Sequence, residues 1–367
     1  IRLRNCWETK QNMSFSKQAF EELLSQVVKE NASDLHIAVG NYPTLRIDGS
    51  LVPLLRMERV TAESAEQFVT MLMSPEQKTR FLKERELDFS YGFLDRARFR
   101  VNTYYQKGFM GAVMRLVPSK VKSFQELGLP PIVSEFASRQ QGFLLVVGPT
   151  GHGKSTTLAA IIDMINHTRA DHIVTIEDPI EYVFESDKAI IEQREVGLDT
   201  ASFENALRSL FREDVDVAMV GEMRDAETMA MAVTAAETGH FVVSTLHTNN
   251  AAQTIDRIID TFPPAQQNQI RAQLASTLVG IVSQRLIPKI NGGLVPAVEV
   301  MIGNPAVRNL IRENKIHQLD LVIETSLDQG MISLNRSLIE LVRKGEISIE
   351  SAMSYSLNPN DLQSLLR

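Results

Sequence analysis

The chain is almost without cysteine: Cys6 is the single one among 367 residues. No disulfide can form within it, and no multi-cysteine zinc site can be built, so no zinc is expected. It also lacks an apolar run long enough to cross a bilayer. No signal peptide is visible, so the cytoplasm is the expected compartment and direct membrane insertion is not expected. Positive charge is not in surplus: 38 Lys and Arg stand against 45 Asp and Glu, a net charge of −7. A nucleic-acid motor with a dominant basic face is disfavoured, which leaves room only for a local basic groove. Internal repeats and low-complexity segments are missing too. Hydrophobic residues make up 44% and charged residues 23%, an ordinary globular balance. At this length two domains are a better expectation than one.

The stretch that organises the rest is Gly148-Pro149-Thr150-Gly151-His152-Gly153-Lys154-Ser155, which fits the P-loop pattern G-x-x-x-x-G-K-[ST] at every fixed position. Phe143–Val147 before it reads as a buried strand, and the run from Thr156 to Ile162 reads as the start of a helix. That strand–loop–helix context makes the motif a phosphate site. Glycines let backbone N–H groups converge on phosphate oxygens, and the helix N-terminus adds partial positive charge. Lys154 is expected to reach the β- and γ-phosphates, and the Ser155 hydroxyl to bind Mg²⁺.

In chain order, residues 1–12 are polar, aperiodic and precede Met13; they read as an upstream extension or a flexible arm. A helix is predicted from Ser14, with Phe20, Leu23, Leu24, Val27 and Val28 on one face. Leu35, Ile37 and Val39 alternate as a strand, with His36 on its other face. Asp48-Gly49 marks a hairpin turn. Thr61–Leu72 reads as a second helix. Strands are predicted at Leu87–Tyr91, Arg98–Tyr105 and Met110–Val117. In the middle one Phe99, Val101, Thr103 and Tyr105 share a face, and Arg98, Arg100, Asn102 and Tyr104 share the other. Residues 13–117 thus form a small α+β domain, and 118–123 a linker. Beyond it strands at His172–Ile176, Val215–Val220 and Phe241–Thr245 alternate with helices, which implies a parallel α/β sheet over 124–290. From Pro263 the pattern turns mainly helical, and 291–367 is expected to be a helical region.

A P-loop needs acidic partners. Glu177, Asp178 and Glu181 follow one predicted strand, and Glu222 ends another in the manner of a Walker B acid. Carboxylates at the carboxyl ends of parallel strands face the ligand crevice, although each alone would also serve as a strand cap. His240 and His247 bracket the strand Phe241–Thr245. They are either satisfied strand-end histidines or polar contacts to the γ-phosphate region.

GPTGHGKSTT, TIEDPIEY, REDVDVAMVGEMRD and AAETGHFVVSTLHT occur together from residue 148 to 248. In order and spacing they resemble the secretion/type IV pilus ATPase superfamily, and more narrowly its twitching-motility retraction ATPases, the PilT family. The resemblance runs from Met13 nearly to the C-terminus. It implies a PAS-like first domain, a RecA-like second domain and a homohexameric ring. The ring would act as an ATPase at the inner membrane through a pilus platform protein, powering retraction of type IV pili. It implies Gly148–Thr156 as the nucleotide loop, Glu222 as a magnesium-linked acid, Glu181 as the carboxylate that polarises the attacking water, and His240 and His247 as the histidine pair. It also implies that N-terminal arginines act on the γ-phosphate. Arg98, Arg100 and Arg115 lie in the matching strands, where a solvated basic face is the other reading.

Extension and type II secretion ATPases usually carry a four-cysteine zinc module, which this chain lacks. Pro305–Glu313 resembles the AIRNLIRE motif of the retraction subfamily, with Val307 in place of isoleucine, a difference of one methylene. His152 departs from the usual serine, and its ring is expected to alter nucleotide contact. The remaining alternatives are an extension or secretion ATPase, or a low-turnover regulatory partner of another retraction ATPase.

Overall fold

The computed structural model describes residues 16–47, 49–94, 97–118 and 120–366. Residues 1–12 and Cys6 lie outside these, as does Asp48 of the expected hairpin turn. The described residues fall into two compact units, the second starting at Lys120.

The first unit opens with α1 (Lys17–Lys29), capped by the Ser16 side chain on the Ala19 N–H. Its Phe20, Leu23, Leu24 and Val27 are buried, the face predicted from their spacing. There follow β1 (Asp34–Ile37), β2 (Thr44–Ile47), β3 (Ser50–Pro53), α2 (Ala62–Met71), α3 (Pro75–Glu84), β4 (Glu86–Phe93), β5 (Ala97–Gln106) and β6 (Phe109–Val117). The sheet runs β3-β2-β1-β6-β5-β4, antiparallel throughout. In β5, Phe99, Val101 and Thr103 are buried while Arg100 is exposed, so the strand alternates as its sequence demands. The helix α3 was not legible as a separate element. Its mean composition is polar, and Ser74 with Gln77 builds a capping box immediately after α2 ends.

The second unit begins with α4 (Phe124–Leu127) and α5 (Pro131–Glu135), then β7 (Gly142–Val147) and α6 (Lys154–Thr168). Next come β8 (His172–Glu177), β9 (Ile190–Glu195), α7 (Phe203–Leu210), β10 (Val217–Val220), α8 (Ala226–Glu237), β11 (Phe241–Leu246), α9 (Ala251–Asp260) and α10 (Pro264–Thr277). β7 is buried at all six positions, as a central parallel strand covered on both faces must be. Phe143, Leu145 and Val147 join the core under α7–α10, while Leu144 and Val146 join the one under α5 and α6.

The expectation of a mainly helical chain after Pro263 is corrected. α10 gives way to β12 (Leu278–Pro288) and β13 (Leu294–Ile302), and only then come α11 (Pro305–Arg312), α12 (Leu319–Thr325), α13 (Leu334–Arg343), α14 (Ile349–Tyr355) and α15 (Pro359–Leu365). The region 291–367 therefore opens with a strand, and Gly292-Gly293 is the turn of a β12–β13 hairpin, both glycines at positive φ. Val279, Ile281, Val282, Ile287, Val295, Val298 and Val300 supply the β-branched density that made the strands. The sheet order is β13-β12-β7-β11-β10-β8-β9, parallel except for that hairpin.

Candidate active site

β7, β8, β10 and β11 point their carboxyl ends the same way, so the loops that follow them meet at one edge of the sheet. The phosphate loop follows β7. Two of its glycines are required by what surrounds them. A Cβ on Gly148 would lie 2.3 Å from the Gln284 carbonyl oxygen, and one on Gly153 would lie 2.8 Å from the Gln284 side-chain nitrogen. Gly151 is different: its φ of +80° favours glycine, but no atom stands within 4 Å of a Cβ there.

Lys154 opens α6 and is buried, 7% exposed. Its Nζ donates to the carbonyls of Gly148 at 3.0 Å and Pro149 at 3.1 Å, which folds the side chain back along the loop. Burial pulls its pKa down, and the charges of Glu181 and Glu222 oppose that shift. Both carboxylates therefore act on the same ammonium group. Ser155 and Thr156 sit in the first turn of α6, where backbone N–H groups have no helical acceptor. The Thr156 hydroxyl lies 2.9 Å from the Tyr182 hydroxyl. Thr150 is exposed, and its hydroxyl lies 3.2 Å from His247 Nδ1.

His247 follows β11. Its Nδ1 is 3.4 Å from Lys154 Nζ, and its Nε2 is 3.5 Å from a Glu222 carboxylate oxygen. Glu222 follows β10, and Arg224 donates to its other carboxylate oxygen. A cavity of about 510 Å³ opens beside Glu222 and His247, with Arg224, Gln253 and Asp256 on its wall. Glu181 is exposed. Its backbone N–H donates to Glu177 at 3.2 Å. Glu177 is buried, and it also accepts from the Thr175 hydroxyl at 2.7 Å and from Gln193 at 3.3 Å. Burial pushes its pKa up to about 7 against those hydrogen bonds. Glu177 is thus the brace of the loop that carries Glu181, and Asp178 beside it is exposed.

His152 is held against β12. Its Nδ1 accepts the Leu286 N–H at 2.9 Å, and its carbonyl accepts from Gln284 at 2.8 Å. His240 is not brought to the loop. It lies at the amino end of β11, about 20 Å from His247 at ordinary strand rise. There its Nδ1 meets the Ala235 carbonyl at 3.0 Å and its ring packs edge-on against Phe211. Of the two alternatives, His240 is a satisfied strand-end histidine, because a strand separates its ends whatever their sequence spacing suggests.

The arginines belong to the first unit. Arg100 is exposed and Arg98 half-buried on β5. Arg115 donates to the buried Asp34 carboxylate at 2.9 Å, with Arg46 on the same carboxylate at 3.9 Å. Arg115 thus has a structural partner that spacing could not reveal.

Sequence reasoning missed Gln284, Thr157, Tyr182 and Arg285. The Thr157 hydroxyl donates to Gln284 at 2.7 Å, so one buried glutamine ties the loop to α6. Tyr182 stood inside a recognised motif, but Gln284 lies 130 residues downstream of the loop in an unremarkable run and carried no local signal.

Among the described residues no three His, Cys, Asp or Glu side chains group to hold a metal by themselves. Magnesium needs no such group, since it takes one or two protein oxygens and completes its shell with substrate phosphates and water. The Ser155 hydroxyl and the Glu222 carboxylate are hard oxygen donors of that kind, and Glu222 already acts on Lys154. The donor set fits.

A P-loop at the carboxyl edge of a mostly parallel sheet, with acids from neighbouring strands converging on its lysine, defines a RecA-like P-loop ATPase. More narrowly, the chain belongs to the family described as Type II/IV secretion system protein, which matches residues 9–349. It is 46% identical over 340 residues to the type IV pilus retraction ATPase PilT of Pseudomonas aeruginosa, covering 93% of this chain and 98% of that protein. It is 38% identical over 349 residues to the type IV pilus ATPase PilU of the same organism, covering 95% and 91%. A crystal structure of the pilus retraction motor PilT with bound ADP superposes with a TM-score of 0.88 at 46% identity, covering 96% of this chain and 99% of that one.

Proposed function

We propose that the chain is an ATP-hydrolysing motor subunit that powers retraction of type IV pili. One observation carries the chemistry: Glu181, Glu222 and His247 converge on Lys154 in the P-loop. The direction of the motor rests on 46% identity, over nearly the whole of both chains, to a protein named for retraction. Lys154, released from the loop carbonyls, would meet the β- and γ-phosphates. Glu181, exposed at the sheet edge, would orient and polarise the attacking water. His247 would report the state of the γ-phosphate to Glu222 and to the segment that leads into α9. Mg²⁺, held through Ser155 and Glu222, would supply charge neutralisation on the phosphates. The bulk of the rate enhancement would come from positioning and electrostatics. Arg98, Arg100 and Arg115 keep a γ-phosphate role in this reading through the family resemblance alone. A homohexameric ring, engaged at the inner membrane through a platform protein, belongs to the same proposal.

The test is a strain whose only copy carries Glu222→Gln, beside ATP turnover by the purified protein. Collapse of hydrolysis with accumulation of surface pili is the expected result. Collapse with loss of surface pili would reassign the motor to assembly. A second reading has specific support in the 38% identity to PilU: a pilus ATPase that assists another retraction motor. Normal withdrawal of pili in a strain carrying Lys154→Ala would favour it.

A further inference from the structure

The end of β7 leaves β12 with one more backbone donor than the sheet can use. β12 pairs with β7 as far as Ser283 opposite Val147, after which the chain turns into the phosphate loop. On its other edge, Leu286 stands opposite Pro296, which has no N–H, so the pair exchanges no ladder bonds and the Leu286 N–H faces away from β13. Within the sheet that donor would be an orphan. It is met by His152 Nδ1 at 2.9 Å. Two residues earlier on the same strand, Gln284 bonds the His152 carbonyl at 2.8 Å and the Thr157 hydroxyl at 2.7 Å. The imidazole therefore takes the place of the β7 carbonyl that is missing, and β12 grips both the ring and the backbone of the residue two positions before Lys154.

We propose that His152 is a positioning residue for the phosphate loop: its neutral ring, accepting the Leu286 N–H, holds the loop against β12 in the shape that receives the triphosphate. This rests on reading the loop as the ATP site. An acceptor at Nδ1 requires the ring proton on Nε2. A second proton would convert Nδ1 into a donor facing another donor and release the contact. The charged groups that face the ring are Arg285 and Lys154. With burial as the larger cause, both hold its pKa below the usual histidine value, so the contact is intact at neutral pH. It would weaken as the pH falls through that lowered value.

The experiment measures ATP KM and kcat between pH 5.5 and 8 for the wild-type full chain, His152→Ala and His152→Asn. Asparagine offers an oxygen near the Nδ1 position and does not titrate. At pH 8 alanine should raise KM by about tenfold, the loss expected when a buried N–H is left unpaired, with kcat changed much less. Asparagine should recover most of that loss. On acidification the wild-type KM should rise relative to the asparagine variant, whereas the titration of ATP itself affects both equally. Coincident wild-type and asparagine profiles, or a wild-type KM for a folded alanine variant, would overturn the proposal. If alanine fails to fold, the comparison of wild type with asparagine decides. A Lys154→Ala control separates the two levels of the argument: wild-type hydrolysis by that variant would remove the ATP site itself, and the inference with it.

Discussion

Lys154 and His247 meet across the site, 3.4 Å from Nζ to Nδ1, although 93 residues separate them in the chain. The contact joins the loop after β7 to the loop after β11. It brings Glu222 into the same cluster through His247 Nε2 at 3.5 Å. Lys154→Ala removes the ammonium on which these groups converge and should lower ATP turnover by about 10²-fold or more. His247→Ala leaves the ammonium and removes the link to Glu222. A smaller loss, about 10-fold, is expected. Steady-state ATPase rates on the purified variants check both, and equal losses would contradict the ordering.

The loop glycines should not be equivalent. Gly148→Ala drives a methyl to 2.3 Å from the Gln284 carbonyl oxygen, and that backbone atom belongs to β12 and cannot step aside. Gly151→Ala meets open space and carries only the strain of its positive φ, about 1 kcal/mol. Nucleotide binding measured by titration should be lost in the first variant and largely kept in the second.

Glu299 gives a pH signature. It lies on β13, is buried, and accepts the Ala251 N–H at 2.7 Å at the start of α9. Burial pushes its pKa up to about 7, with Arg285 opposing. A carboxyl group with a raised pKa binds protons more tightly in the folded chain than in the unfolded one. Its contribution to stability therefore falls as the pH rises from the unfolded carboxylate range through about 7. Glu299→Gln keeps an acceptor for Ala251 and abolishes the titration. It should unfold at a higher temperature than wild type at pH 8, by an amount worth roughly 3 kcal/mol at most. At pH 4.5 the two should converge. Parallel melting curves at both pH values would contradict the assignment.

In the first unit Asp34 is the counter-charge for two arginines. Asp34→Ala leaves Arg115 and Arg46 as neighbours on one sheet face without their shared carboxylate. A loss of about 1–2 kcal/mol is expected, since one bond is a short charge-assisted contact and both arginines are partly solvated. Urea denaturation of the variant against wild type measures it, and salt should narrow the difference.

The sequence by itself determined the strands of the parallel core, because Phe143–Val147 and Val217–Val220 are apolar at every position and each is followed by glycine. It determined the phosphate loop, whose fixed spacing dictates a local backbone shape. It also located the acids Glu181 and Glu222, because the carboxyl ends of neighbouring parallel strands share an edge. Only the tertiary structure decided which residues at those ends meet. His240 and His247 stand at equal sequence distance from β11, yet only His247 stands at the edge where the loop lies. The strands after Thr277 were hidden because a mixed apolar run fits a buried helix or a buried strand until its partners are known. Gln284 and Leu286 belong to that hidden stretch, and their grip on the loop arises from strand register. Register is a long-range property: nothing near Gly148 in the chain announces that the Gln284 carbonyl will stand where its side chain would have been.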